Sequence, residues 1–241
     1  MMNKLRFMFA MALAATLSLG TAMAQDLSSQ RGESQDLGEI LGHKVDHGGL
    51  VINPTPQHLY TLRSLPLDIT KGVALKGKEA KAFSSEVDFV KQSCKGAKLT
   101  INYVKGGWSA DDEMPNKSGS YALTVHHREG ITIKAYDELG AFYALQTLRQ
   151  IVESETAADG TIPALVIRDW PELKYRGVVE GFYGTPWSHE TRLSLIDFYG
   201  RFKMNYYIYG PKDDPYHSSP YWREEYPAEE AAEIKELVEA C

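Results

Sequence analysis

The stretch KYRGVVEGFYGTPWS, residues 174–188, decides the fold of the carboxyl-terminal part of the chain. Its first half, Lys174–Glu180, has a nearly continuous apolar centre, which is typical of a strand buried on both faces. Its second half brings two glycines, three aromatic rings and a proline together in a loop. Ser188 then offers the side-chain oxygen that caps a helix start. The stretch therefore predicts a buried strand, a loop and a helix in that order.

A second unit of the same kind follows in the sequence. Lys203–Tyr209 (KMNYYIY) reads as another strand, and Pro227 is placed to open another helix. The inner face of that helix is predicted to carry Ala231, Ile234, Val238 and Cys241. A β-α-β-α order predicts the first two units of a (β/α)8 (TIM) barrel over residues 170–241. Because a whole barrel takes about 250 residues, the sequence predicts a truncated one.

Residues 50–169 show a different rhythm, in which strands come in neighbouring pairs. Tyr121–Val125 and Ile131–Ala135 alternate apolar and polar residues around an Arg-Glu-Gly turn, which predicts a hairpin. Asp137 is placed to cap a helix with a regular apolar stripe. Further strands are predicted at Leu50–Ile52, Lys98–Lys105 and Ala164–Ile167, and a further helix at Lys76–Val90. The pattern predicts an α+β domain, with an antiparallel sheet and helices on one face. The Trp170-Pro171 step marks its end, since a residue before proline is held extended.

The first residues read as a targeting segment. A charged start, an apolar run and the A-x-A site Ala22-Met23-Ala24 are typical of a signal peptide over residues 1–24. Residues 25–49 form a polar, glycine-rich leader. The sequence therefore predicts an exported protein, periplasmic or secreted, with no membrane attachment after cleavage.

Composition excludes several classes of protein and site. The net charge of −6 over 241 residues lacks the basic stripe of a nucleic-acid binder. The cysteines, Cys94 and Cys241, are too few for a cysteine-based zinc site. Whether these two thiols pair stays open, as does the oligomeric state.

Polar and glycine residues follow both predicted barrel strands, where barrels handle their ligands. Gly181 lacks a Cβ and lets a ligand approach the backbone. Tyr183 offers a ring face and a hydroxyl, and Lys212 offers three donors. Asp213 and Asp214 are a possible acid/base pair, and equally a turn before Pro215. The alternative is that no ligand binds here. In that case the glycines serve only to make turns, Tyr183 is a core residue, and Lys212 pairs with Asp213 or Asp214.

Two long motifs, RGVVEGFYGTPWSHETRL and KMNYYIYGPKDDPYHSSPYWREEYP, closely resemble glycoside hydrolase family 84. The preceding unit, with YALTVHHREGITIKAYDELGAFYALQTLRQ, resembles the small domain that precedes the barrel there and in family 20 hexosaminidases. The resemblance implies a β-N-acetylglucosaminidase of the O-GlcNAcase or hyaluronidase-like type. It implies a retaining mechanism in which the substrate's 2-acetamido oxygen forms an oxazoline, assisted by two aspartates, with no metal or cofactor.

The family's functional residues can be assigned to the positions of this chain that match the family's motifs. The resemblance implies that Gly181, Tyr183 and Lys212 bind the sugar. Asp213 and Asp214 match a different motif from the catalytic aspartates, so that pair is expected beyond Cys241 and no catalytic residue is assigned in this chain. The implied partner is a glycan or glycoprotein that contains N-acetylglucosamine.

Two hypotheses of different classes follow. One is a glycoside hydrolase whose acid/base pair is missing from this chain, so that the chain alone is inactive. The other is a non-catalytic carbohydrate-binding or interaction fragment. A family 20 type hexosaminidase is a weaker third, because the GFYG and PKDD motifs fit family 84 better.

Overall fold

Alternating apolar residues build a mixed sheet in the amino-terminal half of the region that a computed structural model describes. That region comprises residues 50–84, 96–154, 157–181, 186–210, 216, 220–221 and 224–241. Its strands are β1 His58–Thr61, β2 Leu67–Asp68, β3 Val73–Lys76, β4 Ala97–Tyr103, β5 Tyr121–His126, β6 Gly130–Ala135, β7 Thr161–Ile162, β8 Leu165–Asp169, β9 Gly177–Glu180 and β10 Tyr206–Tyr209. Its α-helices are α1 Lys78–Ala82, α2 Glu138–Val152, α3 His189–Arg201 and α4 Ala228–Ala240.

The large sheet has six strands in the order β1-β8-β5-β6-β4-β3. The predicted hairpin is confirmed as β5–β6, and the β1–β8 and β5–β8 pairs are also antiparallel. The prediction of an antiparallel sheet is wrong for β3–β4 and β4–β6, which are parallel. A crossover that contains α1 joins β3 to β4, and such a connection returns the chain in the same direction. The β4–β6 pair is parallel because β6, and not β5, lies beside β4.

The core forms on one face of this sheet. Leu123 and Ile133 from the sheet and Leu148 from α2 are fully buried, and Ala80 of α1 belongs to the same cluster. The intervening strand residues, such as Lys134, point to the other face and are half-buried or exposed. The prediction of helices on one face is therefore confirmed. The helix predicted over Lys76–Val90 is shorter in the structure, where it forms α1 over Lys78–Ala82. Lys76 belongs to β3 and Phe83 is the C-cap of α1, while residues 85–95 lie outside the described chain.

Helix α2 begins where the sequence predicts it. Asp137 Oδ1 accepts a hydrogen bond from the backbone N–H of Gly140 at 2.9 Å, as an N-cap does. The same carboxylate accepts from Gly119 N–H at 3.0 Å and from the Ser118 hydroxyl at 2.5 Å. The cap therefore also fastens the loop that enters β5.

The strand predicted at Leu50–Ile52 is not formed. Leu50 and Ile52 are buried in the core while Val51 is 63% exposed. The alternating pattern therefore reflects burial of every second side chain in an extended segment. Within the described chain this segment pairs with no neighbouring strand. The edge strand is instead β1, whose sequence HLYT carries little apolar signal.

β9, α3, β10 and α4 follow one another in the predicted order of strand, helix, strand and helix, but β9 and β10 begin at Gly177 and Tyr206, three residues after the predicted starts. Strands β9 and β10 pair in parallel, with α3 between them in the chain. Ser188 caps α3, and its hydroxyl accepts from Thr191 N–H at 3.3 Å. Pro227 was predicted to be the first residue of this helix. It is instead the N-cap, and α4 begins at Ala228.

Burial in this part differs from the prediction. Val179 of β9 is 59% exposed and Ile208 of β10 is 41% exposed, so β9 is not buried on both faces. Their side chains share the sheet face that is not packed against α3 and α4. In α4 the buried residue is Leu237, whereas Val238 is 70% exposed and Cys241 is an exposed free thiol. A helix that packs on a two-stranded sheet buries a narrower stripe than the predicted one.

A buried ion pair joins the six-stranded sheet to the β9–β10 unit. Lys203 follows α3 in the left-handed conformation (φ 59°), a position that usually holds glycine. Its Nζ lies 2.8 Å from Asp169 Oδ2 and 2.9 Å from the Tyr121 hydroxyl, and all three side chains are buried. Burial lowers the pKa of Lys203, and the Asp169 carboxylate opposes that effect. The lysine tolerates a strained backbone because its ammonium closes this network.

None of the helices in the described ranges has the length and apolar character needed to cross a lipid bilayer.

Candidate functional site

The carboxyl ends of β9 and β10 lie side by side. Tyr209 is opposite Glu180 in the register, and the backbone N–H of Gly210 donates to the carbonyl oxygen of Glu180 at 3.0 Å. Gly181 and Gly210, which follow directly, therefore emerge next to each other at one edge of the sheet. This is the arrangement that the two predicted barrel strands require.

The backbone at Gly181 is open on its side-chain face. A Cβ built there would meet only Val179 Cγ1, at an ordinary contact distance of 3.5 Å among the described residues, and its φ is not in the left-handed region. At Gly210 a Cβ would meet only the carbonyl oxygen of Glu180, at 3.9 Å. Within the described chain, neither turn geometry nor close packing requires glycine at these two positions. Access for a ligand is a reason that remains.

A cluster of charged and polar side chains lies at the carboxyl ends of β9 and β10. Glu180 is fully buried and its carboxylate receives three hydrogen bonds from Arg192 of α3, at 2.8, 3.0 and 3.2 Å. The Tyr207 hydroxyl donates to the same carboxylate, and the Arg192 guanidinium lies over the Tyr209 ring, 4.8 Å from its centroid. The cluster thus ties β9, α3 and β10 together just beneath Gly181.

The electrostatics of the cluster favour an ionised carboxylate. Burial by itself raises the pKa of Glu180, but the hydrogen bonds from Arg192 and Tyr207 outweigh it and bring the pKa below its usual value. Burial and the neighbouring Glu180 raise the pKa of the Tyr207 hydroxyl, which therefore stays a donor. Glu180 is accordingly an anchored anion, and it has no proton to give at neutral pH.

Of the predicted sugar-binding residues, the structure describes Gly181 alone. Tyr183 and Lys212 lie outside the described residues, as do Asp213 and Asp214, so their roles stay predictions. Glu180, Arg192 and Tyr207 were not predicted from the sequence to form a group. The available signal was the single carboxylate in an otherwise apolar strand, since a buried charge needs a partner.

The described residues line two hollows near the β9–β10 unit. One of about 190 Å³ is next to the cluster, between Arg192, Tyr209 and α4, and includes Tyr226 and Glu233 in its lining. Another of about 790 Å³ lies between α2, α3 and the amino end of β10. Neither is lined by Gly181 or Gly210. Among the described residues no group of three His, Cys, Asp or Glu side chains is arranged to hold a metal ion.

Comparison with known proteins finds family matches in two regions of the chain. Residues 50–170 match the family described as glycosyl hydrolase family 20, domain 2. The chain belongs to this family. Residues 176–241 match a second family, described as β-N-acetylglucosaminidase. The family 20 domain 2 match thus covers the six-stranded sheet, and the second match covers β9 to α4.

Individual relatives agree with both matches. The chain is 30% identical over 158 residues to N,N'-diacetylchitobiase of Vibrio harveyi, an alignment of 63% of this chain and 17% of that protein. It is 47% identical over 65 residues to Protein O-GlcNAcase of Rattus norvegicus, which is 27% of this chain and 7% of that protein. The chain superposes on the solved structure of CpGH84B with a TM-score of 0.62 and 32% sequence identity. The alignment covers 79% of this chain and 35% of the CpGH84B chain.

These likenesses confirm the resemblance to glycoside hydrolase family 84. The chain spans less than a fifth of the length of each of these two curated relatives. The mixed α/β architecture is shared with glycoside hydrolases of known structure.

Proposed function

We propose that the chain is the sugar-binding part of a glycoside hydrolase that removes β-linked N-acetylglucosamine from a glycan or glycoprotein. In this proposal β9, α3, β10 and α4 are the first two units of a (β/α)8 barrel, and Gly181 and Gly210 lie at its mouth. The observation that carries the proposal is that these glycines directly follow the paired ends of two parallel strands, inside the segment that matches β-N-acetylglucosaminidase. Ligands bind at this end of strands in such barrels.

The proposed mechanism is substrate-assisted. The acetamido oxygen of the bound sugar attacks the anomeric carbon, one aspartate assists the amide, and another protonates the departing oxygen. Neither aspartate is assigned within residues 1–241. Gly181, Tyr183 and Lys212 are proposed to hold the sugar hydroxyls and ring, and no metal or cofactor takes part.

Binding without hydrolysis is the second candidate for this polypeptide on its own. Glu180 is the described carboxylate closest in sequence to Gly181, and Arg192 and Tyr207 already engage it. An engaged, ionised carboxylate cannot act as the general acid of a glycosidase. Glu180 therefore offers no general acid, and no catalytic aspartate is assigned within residues 1–241, so we expect the chain alone to bind the sugar and not to cleave it.

The test uses the chain from Gln25 to Cys241. We expect no release of a chromogenic leaving group from a β-N-acetylglucosaminide. We expect saturable chemical-shift changes when N-acetylglucosamine is added, and much smaller changes with glucose, which lacks the acetamido group. Lys212→Ala is expected to weaken this binding about tenfold, as for a lost hydrogen bond to a charged group, with Lys174→Ala as a control outside the loops.

Two outcomes would contradict the proposal. Turnover that disappears in Asp213→Asn or Asp214→Asn would place the acid/base chemistry in this chain. Equal responses to N-acetylglucosamine and glucose would remove the evidence for an amino-sugar site.

Export is a separate proposal. It rests on the charged start, the apolar run and the Ala22-Met23-Ala24 site. Expression of the full chain with its signal peptide should yield a processed protein outside the cytoplasm. Amino-terminal sequencing is expected to begin at Gln25, and a cytoplasmic protein that retains Met1 would refute the prediction.

A further inference from the structure

Glu180 is fixed at both ends of the residue. Its carboxylate is held by Arg192 of α3 and by Tyr207 of β10, and it also accepts from the backbone N–H of Trp187. Its backbone carbonyl accepts from Gly210. The groups that hold Glu180 therefore come from β10, from Gly210 directly after it, and from the start of α3 with the residue just before it.

This anchoring sets the orientation of the next peptide group. The peptide bond between Glu180 and Gly181 is trans, so its C=O and N–H point in opposite directions. Because the carbonyl points at Gly210, the N–H of Gly181 points away from β10. The backbone groups that a ligand would meet at Gly181 are thus fixed by contacts of the preceding residue.

Stability alone is a poor explanation for a buried charge pair here. Desolvation of a carboxylate and a guanidinium offsets most of their attraction, and apolar side chains of similar volume often replace such pairs without loss. The pair instead fixes the relative orientation of the two side chains, because a planar guanidinium binds a carboxylate through two parallel hydrogen bonds in a single arrangement. The Tyr209 ring beneath Arg192 limits the guanidinium further.

We propose that Glu180 is a positioning residue, whose ionised carboxylate holds Arg192 and Tyr207 so that Gly181 and Gly210 stay side by side in the orientation that receives a sugar. The sugar-binding part of this statement rests on the proposed function. The positioning part does not, because it concerns distances within the unliganded chain. A residue of this kind touches no substrate, and its substitution changes how Gly181 and Gly210 are placed relative to each other.

The test is Glu180→Gln, which keeps the side-chain volume and removes the charge. We expect the Gly210 amide to exchange with solvent about tenfold faster or more, consistent with loss of hydrogen bonds to a charged group. We expect the dissociation constant for N-acetylglucosamine to rise by a similar factor. Amides of β5, β6 and α2 should keep their protection. Glu236→Gln is the matched control, since Glu236 joins α4 to His189 of α3 at 2.8 Å and is 60% exposed.

The outcomes separate the two proposals. If the wild-type chain binds no sugar, the proposed function fails, and the Gly210 exchange rate still decides whether Glu180 positions Gly181 and Gly210. Unchanged Gly210 exchange in Glu180→Gln overturns the positioning role. Faster exchange with an unchanged sugar affinity overturns its link to binding.

Arg192→Lys is the second variant, for use if Glu180→Gln does not fold. It keeps the positive charge and loses the two-pronged geometry. We expect its Gly210 exchange to lie between those of wild type and Glu180→Gln. A wild-type exchange rate in Arg192→Lys would show that charge alone suffices and would refute the geometric argument.

Discussion

Asp169→Ala is expected to lower the free energy of unfolding by about 3–5 kcal/mol, the usual loss when one partner of a buried ion pair is removed. The substitution leaves the ammonium of Lys203 buried without a counter-charge, in a position where that side chain is 6% exposed. It also removes the acceptor of the Tyr121 hydroxyl, 2.9 Å away, and of the Trp170 backbone N–H. Urea unfolding followed by circular dichroism measures the loss.

Asp197→Ala is the matched control. Asp197 also pairs with a cation, Arg149, at 3.1 Å, but its side chain is 60% exposed. Exposed pairs contribute about 0–1 kcal/mol, so this variant should unfold close to wild type. Equal losses for the two variants would show that the Asp169–Lys203 pair is not the buried junction that its contacts indicate.

A double-mutant cycle identifies the source of the loss. Lys203→Met alone should also destabilise, because it leaves the Asp169 carboxylate short of a donor. If the loss comes from an unpaired charge, Asp169→Ala with Lys203→Met costs less than the sum of the two single changes. Strict additivity would mean that the two side chains contribute independently.

Local patterns predicted those elements whose signals lie within a few residues. The β5–β6 hairpin follows from alternation around a glycine turn, and α2 follows from Asp137 and a helical stripe. The β9–β10 pair follows from two apolar strands separated by a helix. In each case the sequence that forms the element also carries its cap or turn.

Partner choice between distant segments could not be read in the same way. The parallel β4–β6 pair depends on which strand of the hairpin lies against β4, and no local period records that. The Lys203–Asp169 contact joins residues 34 positions apart. Lys203 resembled an ordinary polar residue at a strand start. Likewise Glu180 resembled the end of an apolar strand, and only the fold shows that Arg192 neutralises it.

The second large effect is expected at Gly177, the glycine that begins β9. A Cβ at this position would lie 1.6 Å from the backbone oxygen of Tyr206 and 2.7 Å from its Cβ. Because the nearest atom belongs to backbone, no side-chain rotation relieves the overlap, and β9 must separate from β10. We expect Gly177→Ala to destabilise by about 3 kcal/mol, at the upper end for overpacking. Amide exchange should report lost protection over Tyr206–Tyr209 while β5 and β6 stay protected.

Gly181→Ala supplies the opposite case four residues along the same chain. Its Cβ has room among the described residues, so the free energy of unfolding should stay within about 0.5 kcal/mol of wild type. Its affinity for N-acetylglucosamine should fall about tenfold or more, because the methyl group occupies the space where a ligand would approach the backbone. One glycine is then required by strand pairing and the other by binding. If Gly181→Ala binds the sugar as wild type does, the open space above that residue is not a sugar site. If Gly177→Ala keeps full protection in β10, the close approach of the two strands is wrong.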